Sequence, residues 1–136
     1  MEPNLGVHWQ ETLLEFLATD QAEDTEVSLR QFLDLCGIMS IGKFGVKPVP
    51  SELPEHLMFI TSEVSEVYEE HRKGRAVDEI YWENGKPEGI PIEMADVILK
   101  TLYVAEAYGM DMMKALRIKL IHNANKKRKK NGERYV

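Results

Sequence analysis

Four glutamates crowd the stretch "TSEVSEVYEE", at Glu63, Glu66, Glu69 and Glu70. A second acidic pair, Glu93 and Asp96, stands in "IPIEMADVILK". Each pair, Glu63/Glu66 and Glu93/Asp96, has the spacing E-x-x-[E/D]. Residues three apart on a helix are surface neighbours, so each pair presents two carboxylates in one direction. One such pair fits a solvated face. Two pairs on consecutive helices joined by a loop can meet in a hairpin, and four anions gathered in a partly desolvated place take up protons or cations. An all-oxygen donor set suits Mg²⁺ or Mn²⁺, ions that also coordinate phosphate oxygens and activate water. A di-iron carboxylate bundle needs Glu-x-x-His. The residues three before His8, His56, His71 and His122 are Leu5, Leu53, Tyr68 and Lys119, so that rival has no support and the histidines read as surface or packed residues.

The elements that must position these acids are helical. "SLRQFLDLCGIMSIGKFG" opens with Ser28 and Gln31 at capping-box spacing and continues with Leu29, Phe32, Leu33, Cys36 and Ile38 at helical intervals. "GKFGVKPVP" breaks it at Gly45, Pro48 and Pro50. Ser51 then reads as the N-cap of a helix running to about Lys73, with Pro54 in its first turn. Leu57, Ile60, Thr61, Val64, Val67 and Tyr68 form its expected packing stripe. Glu63, Glu66 and Glu70 share another sector, and Glu69 falls outside it. "GRAVDEIYWENGKPEG" is longer than most helix connections and carries an Asn84-Gly85 turn signal beside Tyr81 and Trp82.

The next helix has Pro91 near its start and Gly109 past its end. Its apolar residues wrap most of the circumference, leaving Glu93, Asp96 and Lys100 on a narrow polar strip whose plain reading is an Asp96/Lys100 pair. Asp111 caps a last helix on which Lys119, Asn123, Lys126 and Lys130 form one face. Met110, Met112 and Met113 read as core filler. Val7 to Leu17 adds a short first helix followed by the acidic linker "TDQAEDTE". The expected architecture is all-α, four substantial helices and room for a fifth at the N-terminus.

The totals agree with one domain over residues 1–136, with 1–27 as an N-terminal extension and 126–136 as a basic tail. One cysteine, Cys36, excludes an internal disulfide, and no apolar run is long enough to span a bilayer, so a reducing compartment, the cytoplasm, is expected. The net charge is −6, yet "KKRKKNGER" carries six basic residues and one acid, a net +5 that leaves −11 on the remainder. A cluster this short on an acidic body makes nucleic acid the weaker partner.

On these motifs the chain resembles the MazG-like all-α nucleoside triphosphate pyrophosphohydrolases over roughly Leu29 to Gly132. "HLMFITSEVSEVYEEHRKGR" looks like the family's first metal-binding helix and "GIPIEMADVILK" like its second. "KLIHNANKKRKKNG" is similar to the closing segment that binds phosphate. Ser62 stands where many relatives carry a further glutamate, which leaves Glu69 or Glu70 as a substitute. Lys126-Lys127 replaces an expected Arg-Pro, and no histidine precedes Gly132.

The resemblance implies hydrolysis of a nucleoside triphosphate to the monophosphate and pyrophosphate, for nucleotide-pool control. A deoxynucleotide is the favoured substrate, with dGTP, dCTP and dUTP in view and Phe32, Ile38, Phe44 and Trp82 as candidate base contacts. It implies Mg²⁺, with Mn²⁺ as a substitute, held by Glu63, Glu66, Glu93 and Asp96, with Glu63 or Glu66 as general base. It assigns phosphate binding to Lys119, Asn123 and Lys126, in a homo-oligomer, dimer or tetramer, whose second subunit completes the site. The alternative is a non-catalytic helical oligomer that binds nucleic acid or an acidic partner through the basic tail.

Overall fold

In the computed structural model the described residues are residue 15, residues 26–44 and residues 49–126. Four α-helices account for most of them: α1 Leu29–Phe44, α2 Leu53–Arg72, α3 Ile90–Ala107 and α4 Met112–Asn125. A two-stranded antiparallel hairpin, β1 Tyr81–Glu83 and β2 Lys86–Glu88, lies between α2 and α3. The chain is therefore mostly helical, as its apolar periodicity requires. Glu15 is helical, but the rest of the expected first helix, the linker, and the tail beyond Lys126 lie outside the described residues.

Local chemistry sets most of the helix ends. Ser28 Oγ accepts the Gln31 N–H at 3.1 Å while Gln31 Oε1 accepts the Ser28 N–H at 3.0 Å, a reciprocal capping box that starts α1. Asp111 Oδ1 accepts the Lys114 N–H at 3.0 Å and starts α4. Pro91 occupies the first turn of α3, where its missing N–H costs nothing. Gly109, at φ +69°, ends that helix, and the Met110 N–H reaches back to the Ala105 carbonyl at 2.9 Å.

The start of α2 differs from expectation. Pro50–Glu52 form a 3₁₀ turn that runs directly into α2. Ser51 therefore lies inside the turn, and the residue before α2, Glu52, already has helical φ/ψ and makes no side-chain cap. Another tie fixes this corner: the Tyr108 hydroxyl at the end of α3 meets His56 Nδ1 at 2.9 Å and donates to the Val49 carbonyl at 3.1 Å. His56 is thus a packed residue.

The hairpin is the second difference. Asn84 and Gly85 both have positive φ, +52° and +75°, which a two-residue turn between right-twisted strands demands. They place Glu83 opposite Lys86 and Tyr81 opposite Glu88. Strands of three residues with a proline in one of them carry no readable alternation, so only the turn was legible.

The core lies between α1 and α3. Leu33, Cys36, Leu102 and Tyr103 are buried together, with Phe32, Leu99, Met112 and Met113 packed on them. Burial pushes the Cys36 thiol up to about 11, and the nearby Glu106 carboxylate adds to the effect, so Cys36 is an unreactive core group.

α2 buries no apolar side chain; its buried residues are His56 and Glu70. The line it turns toward the rest of the chain is His56, Ile60, Glu63, Val67 and Glu70, all buried or half-buried. Of the expected packing stripe, Leu57, Thr61, Val64 and Tyr68 are exposed. The helix is rotated so that carboxylates, with Ile60 and Val67, face α3.

Candidate metal centre

α2 and α3 make the most extensive helix pair, and this contact brings the two acidic motifs together. Carboxylate oxygens of Glu63, Glu93 and Asp96 lie within 4.8 Å of one another. Glu63 and Asp96 are half-buried, and Glu93 is only 9% exposed. Among the described residues Glu93 has no side-chain hydrogen-bond or ion-pair partner. Burial raises its pKa, and the charges of Asp96, Glu88 and Glu66 raise it further, while Lys86 lowers it. A largely buried carboxyl among other carboxylates is relieved by a proton or by a cation.

Glu66 does not join this tight group. It is exposed on α2 and reaches Glu93 through its field alone. Lys100, one turn beyond Asp96, does not pair with Asp96. Its Nζ lies 3.7 Å from Glu63 Oε1 across the helix interface, with the two side chains 25% and 20% exposed. The Asp96/Lys100 pair expected within the helix is thus replaced by a contact between helices, because the polar strip of α3 faces α2.

A second group adjoins the first and shares Glu93. Oxygens of Glu70, Glu88 and Glu93 also lie within 4.8 Å of one another. Glu70 is 3% exposed, accepts from Lys73 Nζ at 2.8 Å and from the Tyr81 hydroxyl, and its pKa is held down by these hydrogen bonds. Arg75 stacks over the Tyr81 ring, 3.6 Å from its centroid, and pairs with Glu79 at 2.9 Å. Glu70 therefore pins the hairpin to the end of α2, and the hairpin in turn delivers Glu88. Glu88 has its own partner, Lys86, at 3.3 Å. Glu69 pairs with Arg72 in the open, and is solvated as its sector indicated. Glu88 was missed in the sequence and Tyr81 was read only as an aromatic beside the Asn84-Gly85 turn, the single available signal.

The phosphate-binding candidates lie elsewhere. Lys119 and Asn123 are exposed on the distal half of α4, and half-buried Lys126 follows its end. α4 packs on α1 and α3 and not on α2, and among the described residues no ion pair joins these lysines to a carboxylate. Among the base-contact candidates, Phe32 lines an apolar groove with Leu29, Val97, Ile98 and Leu116. Trp82 is 69% exposed on the hairpin, Ile38 is half-buried, and the Phe44 side chain lies outside the described residues.

No protein-family model matches this chain, and neither a curated protein nor a solved structure does. No described helix is long and apolar enough to cross a membrane.

Proposed function

We propose that the protein is a metal-dependent nucleoside triphosphate pyrophosphohydrolase of the MazG-like class, acting on a deoxynucleoside triphosphate such as dGTP. The observation that carries this reading is the buried Glu93 carboxyl, without a hydrogen-bond or ion-pair partner among the described residues, set among the oxygens of Glu63 and Asp96. Three carboxylates from two helices supply the hard oxygen donors that Mg²⁺ and Mn²⁺ take. Such an ion supplies charge stabilisation for triphosphate oxygens and for departing pyrophosphate, and lowers the pKa of water.

The chain's own groups divide the remaining work. Glu63, Glu93 and Asp96 hold the cation. Of the two candidates for general base, Glu63 and Glu66, we assign the role to Glu66, whose exposure outside the tight group supports its accepting the proton of the attacking water at the α-phosphorus. Lys119, Asn123 and Lys126 bind phosphates from a second copy of the chain, since α4 does not reach α2 within one copy. Exposed Val64, Tyr68, Met94 and Ile98 support a homo-oligomer, dimer or tetramer, because single chains seldom leave a broad apolar face open to water.

The deciding experiment incubates the purified protein with each canonical dNTP and NTP in Mg²⁺, in Mn²⁺ and in EDTA, and resolves the products. Monophosphate plus pyrophosphate, formed only with metal, is the expected result. No turnover of any nucleotide would refute the assignment.

A further inference from the structure

The ion pair between Lys100 and Glu63 is the one Lys or Arg pair that links two helices among the described residues; the others join residues close in sequence. At 3.7 Å it is too long for a hydrogen bond. Lys100 is three-quarters buried, so this is not a surface pair free to drift into solvent. Its ammonium faces Glu63 across the helix interface without hydrogen-bonding to it, one turn along α3 from Asp96. A loosely held single charge beside carboxylates that fit a divalent ion can be exchanged for that ion.

We propose that Lys100 is the exchangeable counter-ion of the acidic group and, once exchanged, a phosphate-binding residue. This rests on the cation reading above. Without metal, the ammonium neutralises part of the charge at Glu63. A divalent ion bound by Glu63, Glu93 and Asp96 repels the ammonium and removes its partner. A triphosphate on that ion brings anionic oxygens to the same place, and the four-carbon stem lets the ammonium turn to them without moving α3. Lys100 then opposes binding of the metal alone and favours binding of metal with phosphate.

These opposite signs define the test. Mg²⁺ binding is measured by calorimetry without nucleotide for the wild type, Lys100→Met and Lys100→Arg, and tripolyphosphate is then titrated into each magnesium-saturated protein. Circular dichroism checks that each variant is folded. Lys100→Met is expected to bind Mg²⁺ about three- to tenfold more tightly and tripolyphosphate about tenfold more weakly, while Lys100→Arg follows the wild type in both. Unchanged or weaker Mg²⁺ binding by Lys100→Met overturns the proposal, as does unchanged tripolyphosphate binding. A wild type that takes up no Mg²⁺ at all overturns the cation site itself and this role with it, an outcome distinct from a wild type that binds Mg²⁺ but is indifferent to residue 100.

Discussion

At the scale of single residues, the site divides its carboxylates by environment rather than by type. Glu63 belongs to the tight group and Glu66 stands outside it, exposed, one helical turn away. Glu63→Gln should therefore weaken Mg²⁺ binding seen by calorimetry. Glu66→Gln should leave that binding nearly intact and lower kcat by about 10²- to 10⁴-fold, the range for a lost general base. Equal kcat in Glu66→Gln and wild type would reassign the base. Glu93 carries a different consequence, because burial, and then its acidic neighbours, raise its pKa. The fold prefers its neutral form; that stabilisation is complete below the unfolded-state pKa and is lost as pH rises through the raised value. In EDTA at pH 7, Glu93→Gln should melt on the order of 3 °C above wild type, with the gap closing toward pH 4. Magnesium should reverse the order by stabilising the wild type alone. A variant that melts below wild type in EDTA at pH 7 would mean that Glu93 has a compensating partner.

At the scale of elements, the join between hairpin and α3 decides whether the two acidic motifs meet. Gly89 has φ +122° and stands just before α3, where its carbonyl accepts the Glu93 N–H at 3.0 Å. A Cβ there would lie 2.2 Å from the Glu79 carbonyl oxygen. Gly89→Ala must displace the backbone, and it should cost about 2–4 kcal/mol in urea unfolding and weaken Mg²⁺ binding. Gly85→Ala, in open space at φ +75°, should cost only about 1 kcal/mol and spare the metal. Similar losses in both variants would show that the Gly89 approach does not matter. The same elements show what could be read without coordinates. The Ser28/Gln31 box, the Asp111 cap and the Gly109 stop were legible because each is set by atoms within a few residues. The facing of Glu93 and Asp96 toward another helix followed from a polar strip too narrow to be a solvated face. The rotation of α2 was not legible. Leu57 and Val64 are as apolar as Ile60 and Val67, and only the identity of the neighbour decides which are covered. The partner of Lys100 was missed for a related reason, since helical spacing offers Asp96 while the competing Glu63 comes from thirty-seven positions away in sequence.

At the scale of the whole molecule, the imbalance among the described residues between a small core and a large apolar surface is the dominant feature. Val64, Tyr68 and Met94 line one groove and Leu29, Ile98 and Leu116 another, and Val97 on α3 lines both. The two grooves thus form a continuous apolar surface from α2 across α3 to α4. The distal half of α4 adds Leu120, 71% exposed, and Ile121, 50% exposed, on a helix that touches its own chain near its start. A second copy laid on this surface would cover the apolar residues that α2 and α3 leave open. In the proposed oligomer it is this copy that supplies Lys119 and Asn123, which one chain's α4 does not bring to α2. The proposed oligomer therefore predicts that one substitution separates assembly from folding. Ile98 is 56% exposed, so Ile98→Glu should change the stability of a single chain by no more than about 0.5 kcal/mol. The same change places a charge in the covered face, where an unpaired charge costs several kcal/mol. Sedimentation should show wild type as a dimer or tetramer and Ile98→Glu as a monomer of 15.6 kDa. If the partner's α4 completes the site, the monomer should keep its Mg²⁺ affinity, held by Glu63, Glu93 and Asp96 of one chain, while nucleotide turnover falls at least about tenfold. A fully active monomer would place the phosphate-binding residues within a single chain and leave Lys100 as the cation nearest the substrate.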